Sequence, residues 1–108
     1  MTYRPEAGDV VWVDFDPRVE RDQSGRRPAL VVSPAAFWEA SGFVIVCPVT
    51  SQVRTLGTSV MLPAGLEVLA SHVRSIDTAT QPIAFAGASV PRDILADVRA
   101  KLAALIGL

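Results

Sequence analysis

Cysteine and histidine are nearly missing from this 108-residue chain, with one of each, Cys47 and His72. A single cysteine excludes an internal disulfide framework, and the two together cannot make a zinc cluster of the usual Cys/His spacing. Charge is also scarce, at 19% of residues, against a usual share of about 25%. It is nearly balanced: ten Lys+Arg face eleven Asp+Glu, for a net charge of −1. Such a balance lacks the diffuse basic charge of a nucleic-acid binder, so any such function must rest on a local patch. No apolar run approaches the roughly 18 residues of a membrane span; the longest, residues 43–49, has the length of a strand. The first residues, Met1-Thr2-Tyr3-Arg4-Pro5-Glu6, lack the apolar core of a signal peptide. A cytoplasmic protein with no membrane association is expected.

What the chain has is apolar surface, with 50% hydrophobic residues. That suffices for a real core and excludes intrinsic disorder. The length bounds it to one domain, residues 1–108. The excess of apolar over charged residues predicts surface hidden against a partner, most simply in a homodimer.

Residues 9–15, Asp-Val-Val-Trp-Val-Asp-Phe, read as a β-strand opened by Gly8 and stopped by Pro17. Residues 18–27 carry six charges and no aromatic, and so form a polar loop. Ala29-Leu30-Val31-Val32 is as continuously apolar as a strand buried on both faces. Ser33-Pro34 reads as a helix start, with Ser33 as N-cap and Pro34 in the first position. Gly42 then closes the helix in the left-handed conformation. Residues 43–49 form a third strand, and Pro48 marks an edge, end or bulge there. Further strands are expected at 59–62, 72–76 and near 83–86. The period changes at the C-terminus: Ile94, Val98, Leu102 and Ile106 recur every four residues, with Leu95 and Leu105 beside them. That is an amphipathic helix, capped by Ser89 or Val90, with Pro91 in its first turn and Gly107 at its end. Several short strands and one terminal helix predict a mainly β, α+β fold, a strongly curved sheet or partly open barrel.

Among candidate chemical groups, Asp14 and Asp16 share a strand face but lack the further ligands a hard cation needs. No metal and no cofactor are expected. Cys47 lies inside an apolar strand, where a thiol is buried and inert. His72 alone cannot supply a two-histidine acid and base. The loop at 18–27 stands out: four arginines and two acids concentrate positive charge in a chain that is otherwise negative. Pro28 forces Arg27 towards extended backbone, and a guanidinium fork held in this way suits a phosphate. Hydroxyl and amide side chains follow the third strand in Pro48-Val49-Thr50-Ser51-Gln52. If the second and third strands are neighbours, Arg27 and Thr50 approach each other and can stabilise charge on a phosphorane.

Three blocks carry a more specific signal. Residues 8–17, Gly-Asp-Val-Val-Trp-Val-Asp-Phe-Asp-Pro, come first, followed by residues 23–34, Gln-Ser-Gly-Arg-Arg-Pro-Ala-Leu-Val-Val-Ser-Pro, and residues 47–52, Cys-Pro-Val-Thr-Ser-Gln. In order and spacing they resemble the MazF/PemK family of toxin endoribonucleases, and Val73-Arg74-Ser75-Ile76 with the terminal helix extends the likeness over essentially the whole chain. The resemblance implies a small SH3-like, CcdB/PemK-like barrel with a C-terminal helix, assembled as a homodimer. It implies metal-independent, sequence-specific cleavage of single-stranded RNA, including messenger RNA, to 2′,3′-cyclic phosphate and 5′-hydroxyl ends. The family's catalytic arginine and threonine fall on Arg27 and Thr50, and an acid implicated in some members falls on Asp22. Arg21, Gln23, Arg26, Ser51, Gln52 and His72 are the positions expected to touch RNA. The implied partner is a MazE-like antitoxin whose disordered tail blocks the RNA groove.

The chain departs from the family at two places. Where the family has Gly-Ser-Glu-Gln, this loop ends Glu20-Arg21-Asp22-Gln23, with a shorter acid and no glycine. The family's Asp-Gln before Val-Arg-Ser is Ser71-His72 here, which bears on base preference. Two other readings stay open on the residues: a CcdB-like poison that binds DNA gyrase, and a catalytically weak RNA- or antitoxin-binding homologue.

Overall fold

A computed structural model describes residues 2–14 and 26–108. Arg21, Asp22 and Gln23, with Asp16 and the loop up to Gly25, lie outside the described residues. The elements run β1 (Asp9–Val13), β2 (Arg27–Val31), α1 (Ala35–Ser41), β3 (Phe43–Thr50), β4 (Ser59–Leu62), β5 (Leu66–Leu69), β6 (Arg74–Asp77), β7 (Ile83–Ser89) and α2 (Arg92–Ile106). The strands form one antiparallel sheet in the order β4-β5-β3-β2-β1-β7, with β6 also paired to β3. The sheet does not close among the described residues, so the small barrel expected from the sequence takes its open form, an α+β fold.

The sheet is apolar on both faces, which explains the uninterrupted runs in β2 and β3. On one face Val11, Val13, Ala29, Val31, Val44, Val46 and Ile76 form a cluster edged by Tyr3, Trp38 and Ile83. On the other, Leu30, Val32, Cys47, Val49 and Val68 pack against Val98 of α2, with Leu95 and Leu102 beside it. Strand alternation divides Val44 and Val46 from Cys47 and Val49. The amphipathic stripe of α2 is thus borne out over its first three turns. At its end the stripe runs off the sheet, leaving Leu105 44% and Ile106 70% exposed.

Pro48 does not lie on an edge strand. The Ile45 backbone both donates to Ser33 Oγ and accepts from the Val32 N–H, so Ile45 and, two residues on, Cys47 face β2. Pro48 therefore faces the opposite side. There β3 has paired with β6 through Val46 and takes up β5 only at Val49. Proline sits in the gap between two partners, where no N–H is needed.

Local signals at α1 were only half right. Gly42 does end it, at φ 79° with its N–H on the Trp38 carbonyl, a conformation glycine adopts without strain. The start differs. Pro34 is the N-cap and Ala35 the first helical residue, because the buried Ser33 hydroxyl is engaged with the Ile45 N–H at 2.9 Å. The Ala35 N–H finds its acceptor in Glu6 Oε1 at 3.2 Å instead. At α2, likewise, Pro91 rather than Ser89 or Val90 is the N-cap, while Gly107 closes the helix in the left-handed region as expected. The strand expected at 72–76 begins only at Arg74, since Ala70–His72 is a 3₁₀ turn. β5 has no counterpart in the sequence reading. Among the described residues no helix is long and apolar enough to cross a membrane.

Candidate functional site

β2 begins at Arg27 and β3 ends at Thr50, and the two strands are antiparallel neighbours with Ala29 opposite Pro48. Continuing that register by two residues sets Arg27 opposite Thr50. The approach that the sequence reading made conditional on strand adjacency is therefore built into the sheet. Both residues are half-buried, and both line two adjoining cavities of about 540 and 280 Å³.

Local chemistry fixes each of them. Arg27 is paired with Val13 of β1 and precedes Pro28, which confines it to extended backbone. Thr50 is the last strand residue, and its Oγ1 accepts the Gln52 N–H at 3.0 Å. That turn folds the chain back over the cleft, where Gln52 lines both cavities and Ser51 and Arg26 the smaller one. His72 ends the 3₁₀ turn before β6 and reaches the larger cavity. It is exposed, with Nδ1 3.2 Å from Ser71 Oγ. The structure thus brings together Arg26, Arg27, Thr50, Ser51, Gln52 and His72. Asp22, Arg21 and Gln23 lie outside the described residues.

Two further arginines complete the cleft. Arg54, in the loop after β3, and Arg74, at the start of β6, line the larger cavity. Four arginines and no carboxylate line the two cavities among the described residues. That is the local patch a net charge of −1 requires if the partner is a polyanion. The sequence reading missed both: Arg54 lies four residues after Thr50, with only that polar run to signal it, and Arg74 lay within the family block but had no chemistry attached to it.

Cys47 has no part in this. It is fully buried, and burial pushes its thiol up to about 12, so a nucleophilic thiolate does not form near neutral pH. Among the described residues no three His, Cys, Asp or Glu side chains group closely enough to hold a metal ion. The cleft offers fixed positive charge, one strand-end hydroxyl and one imidazole. Such a set suits binding a phosphodiester and stabilising charge that develops on it.

Comparison with known proteins points the same way. The family of PemK-like, MazF-like toxins of type II toxin–antitoxin systems matches residues 6–106. The chain is 35% identical over 109 residues to the endoribonuclease toxin MazF of Escherichia coli K12, covering 97% of this chain and 96% of that one. It is 43% identical to the crystal structure of MazF from Deinococcus radiodurans, with a TM-score of 0.86 over 99% of this chain and 100% of that one. A MazE-MazF crystal structure from the same organism matches with 41% identity and a TM-score of 0.85, over 99% of each chain.

Proposed function

Because this chain belongs to the PemK-like, MazF-like toxins of type II toxin–antitoxin systems, we propose that the arginine-lined cleft between β2 and β3 is where it cuts single-stranded RNA. The protein is a toxin endoribonuclease, which decides against the gyrase-poison reading. One observation carries the assignment of the site: Arg27 and Thr50 end adjacent strands and line the same two cavities, which no carboxylate lines among the described residues.

The substrate supplies its own nucleophile. The ribose 2′-hydroxyl attacks the neighbouring phosphorus in line, the bond to the 5′-oxygen breaks, and 2′,3′-cyclic phosphate and 5′-hydroxyl ends result. Nothing in that sequence calls for a metal. The protein must stabilise a phosphorane carrying extra negative charge and move two protons. Arg27 meets the first need, its fork on the non-bridging oxygens, and the Thr50 hydroxyl adds a neutral donor. A guanidinium keeps its proton at neutral pH and is a poor general base. An imidazole suits proton transfer there, and His72 brings one to the rim; Asp22 is the other candidate. Arg26, Arg54 and Arg74 hold flanking phosphates, while Ser51, Gln52 and His72 face bases; Arg21 and Gln23, outside the described residues, keep the RNA-contacting role that the family resemblance implies. The decisive experiment incubates the purified protein with a long single-stranded RNA in EDTA and maps the ends. Cleavage at a short recurring sequence with 5′-hydroxyl ends is expected; no cleavage, or random nicking, overturns the reading. The same map for His72→Gln tests base contact, since an unchanged site sequence leaves His72 at the rim without a reading role.

An antitoxin of the MazE kind is the protein partner, in line with the MazE-MazF complexes of the Deinococcus relative. A cleft lined, among the described residues, by four arginines and no carboxylate favours an acidic segment of that partner, which would occupy the RNA path. Two copies of the chain pair. Support comes from Trp12, Phe85, Leu105, Ile106 and Leu108, large apolar side chains left exposed. Sedimentation is expected to give a dimer at micromolar concentration, and a stable, active monomer would refute the pairing.

A further inference from the structure

The loop between β3 and β4 brings Ser51, Gln52 and Arg54 to the cleft, and every residue from 51 to 57 is exposed. Its own side chains do not pack it in place. What grips it comes from below. Glu67, on β5, is the register partner of Thr50 and is fully buried. A carboxylate taken out of water is costly unless its oxygens are satisfied, and here the loop satisfies them. Oε1 accepts the Arg54 backbone N–H at 2.8 Å. Oε2 accepts the Leu56 N–H at 3.3 Å and the Ser59 hydroxyl, and the Thr55 N–H also bonds to the carboxylate.

Thr55 has φ 54°, a left-handed conformation that is an outlier for a β-branched residue. It turns three successive N–H groups onto one anion, the arrangement that elsewhere binds external anions, with the anion supplied by the chain itself. These bonds, the Arg54 N–H first and the Ser59 hydroxyl next, hold the Glu67 carboxyl below the usual carboxylate range, so it stays ionised at neutral pH. The far end of the loop is tied to α2, where Lys101 Nζ donates to the Gly57 carbonyl at 2.9 Å.

We propose that Glu67 is a positioning residue for RNA cleavage, gripping the backbone of residues 54–56 so that the loop holds Arg54 against the cleft. The inference rests on the reading of that cleft as the RNA site. An aliphatic residue at this strand position would serve the core without the desolvation penalty. What the carboxylate adds is a fixed loop backbone, and with it a fixed origin for the Arg54 side chain. Preorganisation of that kind lowers the cost of binding the substrate.

Two readouts test it on the full-length protein. Without RNA, the amides of Arg54, Thr55 and Leu56 should exchange with solvent more slowly than their exposed neighbours. Glu67→Gln places an amide N–H₂ against backbone donors and should speed their exchange about tenfold or more, with the β2–β3 ladder unchanged. On RNA, Glu67→Gln should raise KM about tenfold and leave kcat within about threefold. Arg54→Ala should do the same, and the double variant should be no worse than Arg54→Ala alone. Ser59→Ala, which removes one donor, should shift both readouts in the same direction by a few-fold even if Glu67→Gln fails to fold. An unchanged KM in folded Glu67→Gln, additive losses in the double variant, or a fall in kcat at constant KM would overturn the proposal. A wild-type protein that leaves RNA intact overturns the RNA site and the positioning role together. A wild-type protein that cuts while Glu67→Gln leaves the 54–56 amides unmoved removes the positioning role alone.

Discussion

Arg27→Ala is expected to yield a folded protein that cuts single-stranded RNA about 10²–10³ times more slowly, the usual loss for one preorganised charge-stabilising donor. The argument begins in the backbone. Arg27 is the first residue of β2, paired with Val13 on one side and, by the register of β2 with β3, set opposite Thr50 on the other. Pro28 holds it extended, so the guanidinium leaves a fixed origin and loses less freedom on meeting a phosphate. Alanine is compatible with a half-buried strand start, so the melting temperature should change little. Arg27→Lys keeps the charge but loses the planar fork, and its rate should fall between the two. Single-turnover cleavage, with circular dichroism and thermal melts on the same samples, makes the measurement. Wild-type rates from a folded Arg27→Ala protein would remove Arg27 from the chemistry.

The sequence makes most legible the features whose causes are local. Ala29-Leu30-Val31 reads as a strand buried on both faces because each residue there meets one of the two clusters. Gly42 and Gly107 read as helix ends because only their positive φ is needed. Features made by distant partners were not legible. Ser33 carries a good N-cap side chain, yet its hydroxyl is taken by Ile45 across the next strand, and Glu6 caps Ala35 from 29 residues away. β5 was hidden because Glu67 interrupts its apolar run, and a lone acid among apolar residues usually means a break in structure. Its partners are backbone N–H groups, which leave no mark in sequence, and one hydroxyl, that of Ser59 on the neighbouring strand.

The site shows the same division. Arg27 and Thr50 belong to recognisable blocks and His72 stands just before one, while Arg54 reaches the cleft only because a buried carboxylate shapes its loop. The arginine count matters for function. Bulk charge argues against an RNA binder, yet among the described residues folding gathers four arginines and no carboxylate around the two cavities. Composition reports the average of a surface; association depends on the local field.

Thr50→Val should slow cleavage by about 10², near the lower end of what one lost transition-state donor costs, while shifting stability little. Thr50 Oγ1 already accepts the Gln52 N–H at 3.0 Å, which leaves its own proton to donate. Accepting one hydrogen bond strengthens the hydroxyl as a donor of another, so the turn that orients Thr50 also prepares it for a phosphate oxygen. Valine keeps the branched shape that suits a strand end and removes both bonds. The Gln52 N–H it leaves behind is on an exposed residue, where water replaces the lost acceptor at small cost. Thr50→Ser retains the hydroxyl and should stay within about tenfold of the wild type. Because Thr50 and Arg27 would act on the same phosphate, Thr50→Val combined with Arg27→Ala should lose less than the product of the two single effects. Multiplicative losses would mean that the two groups serve separate steps. A Thr50→Val protein that melts early but retains full activity per folded molecule would make Thr50 a structural residue, leaving Arg27 without its neighbouring donor.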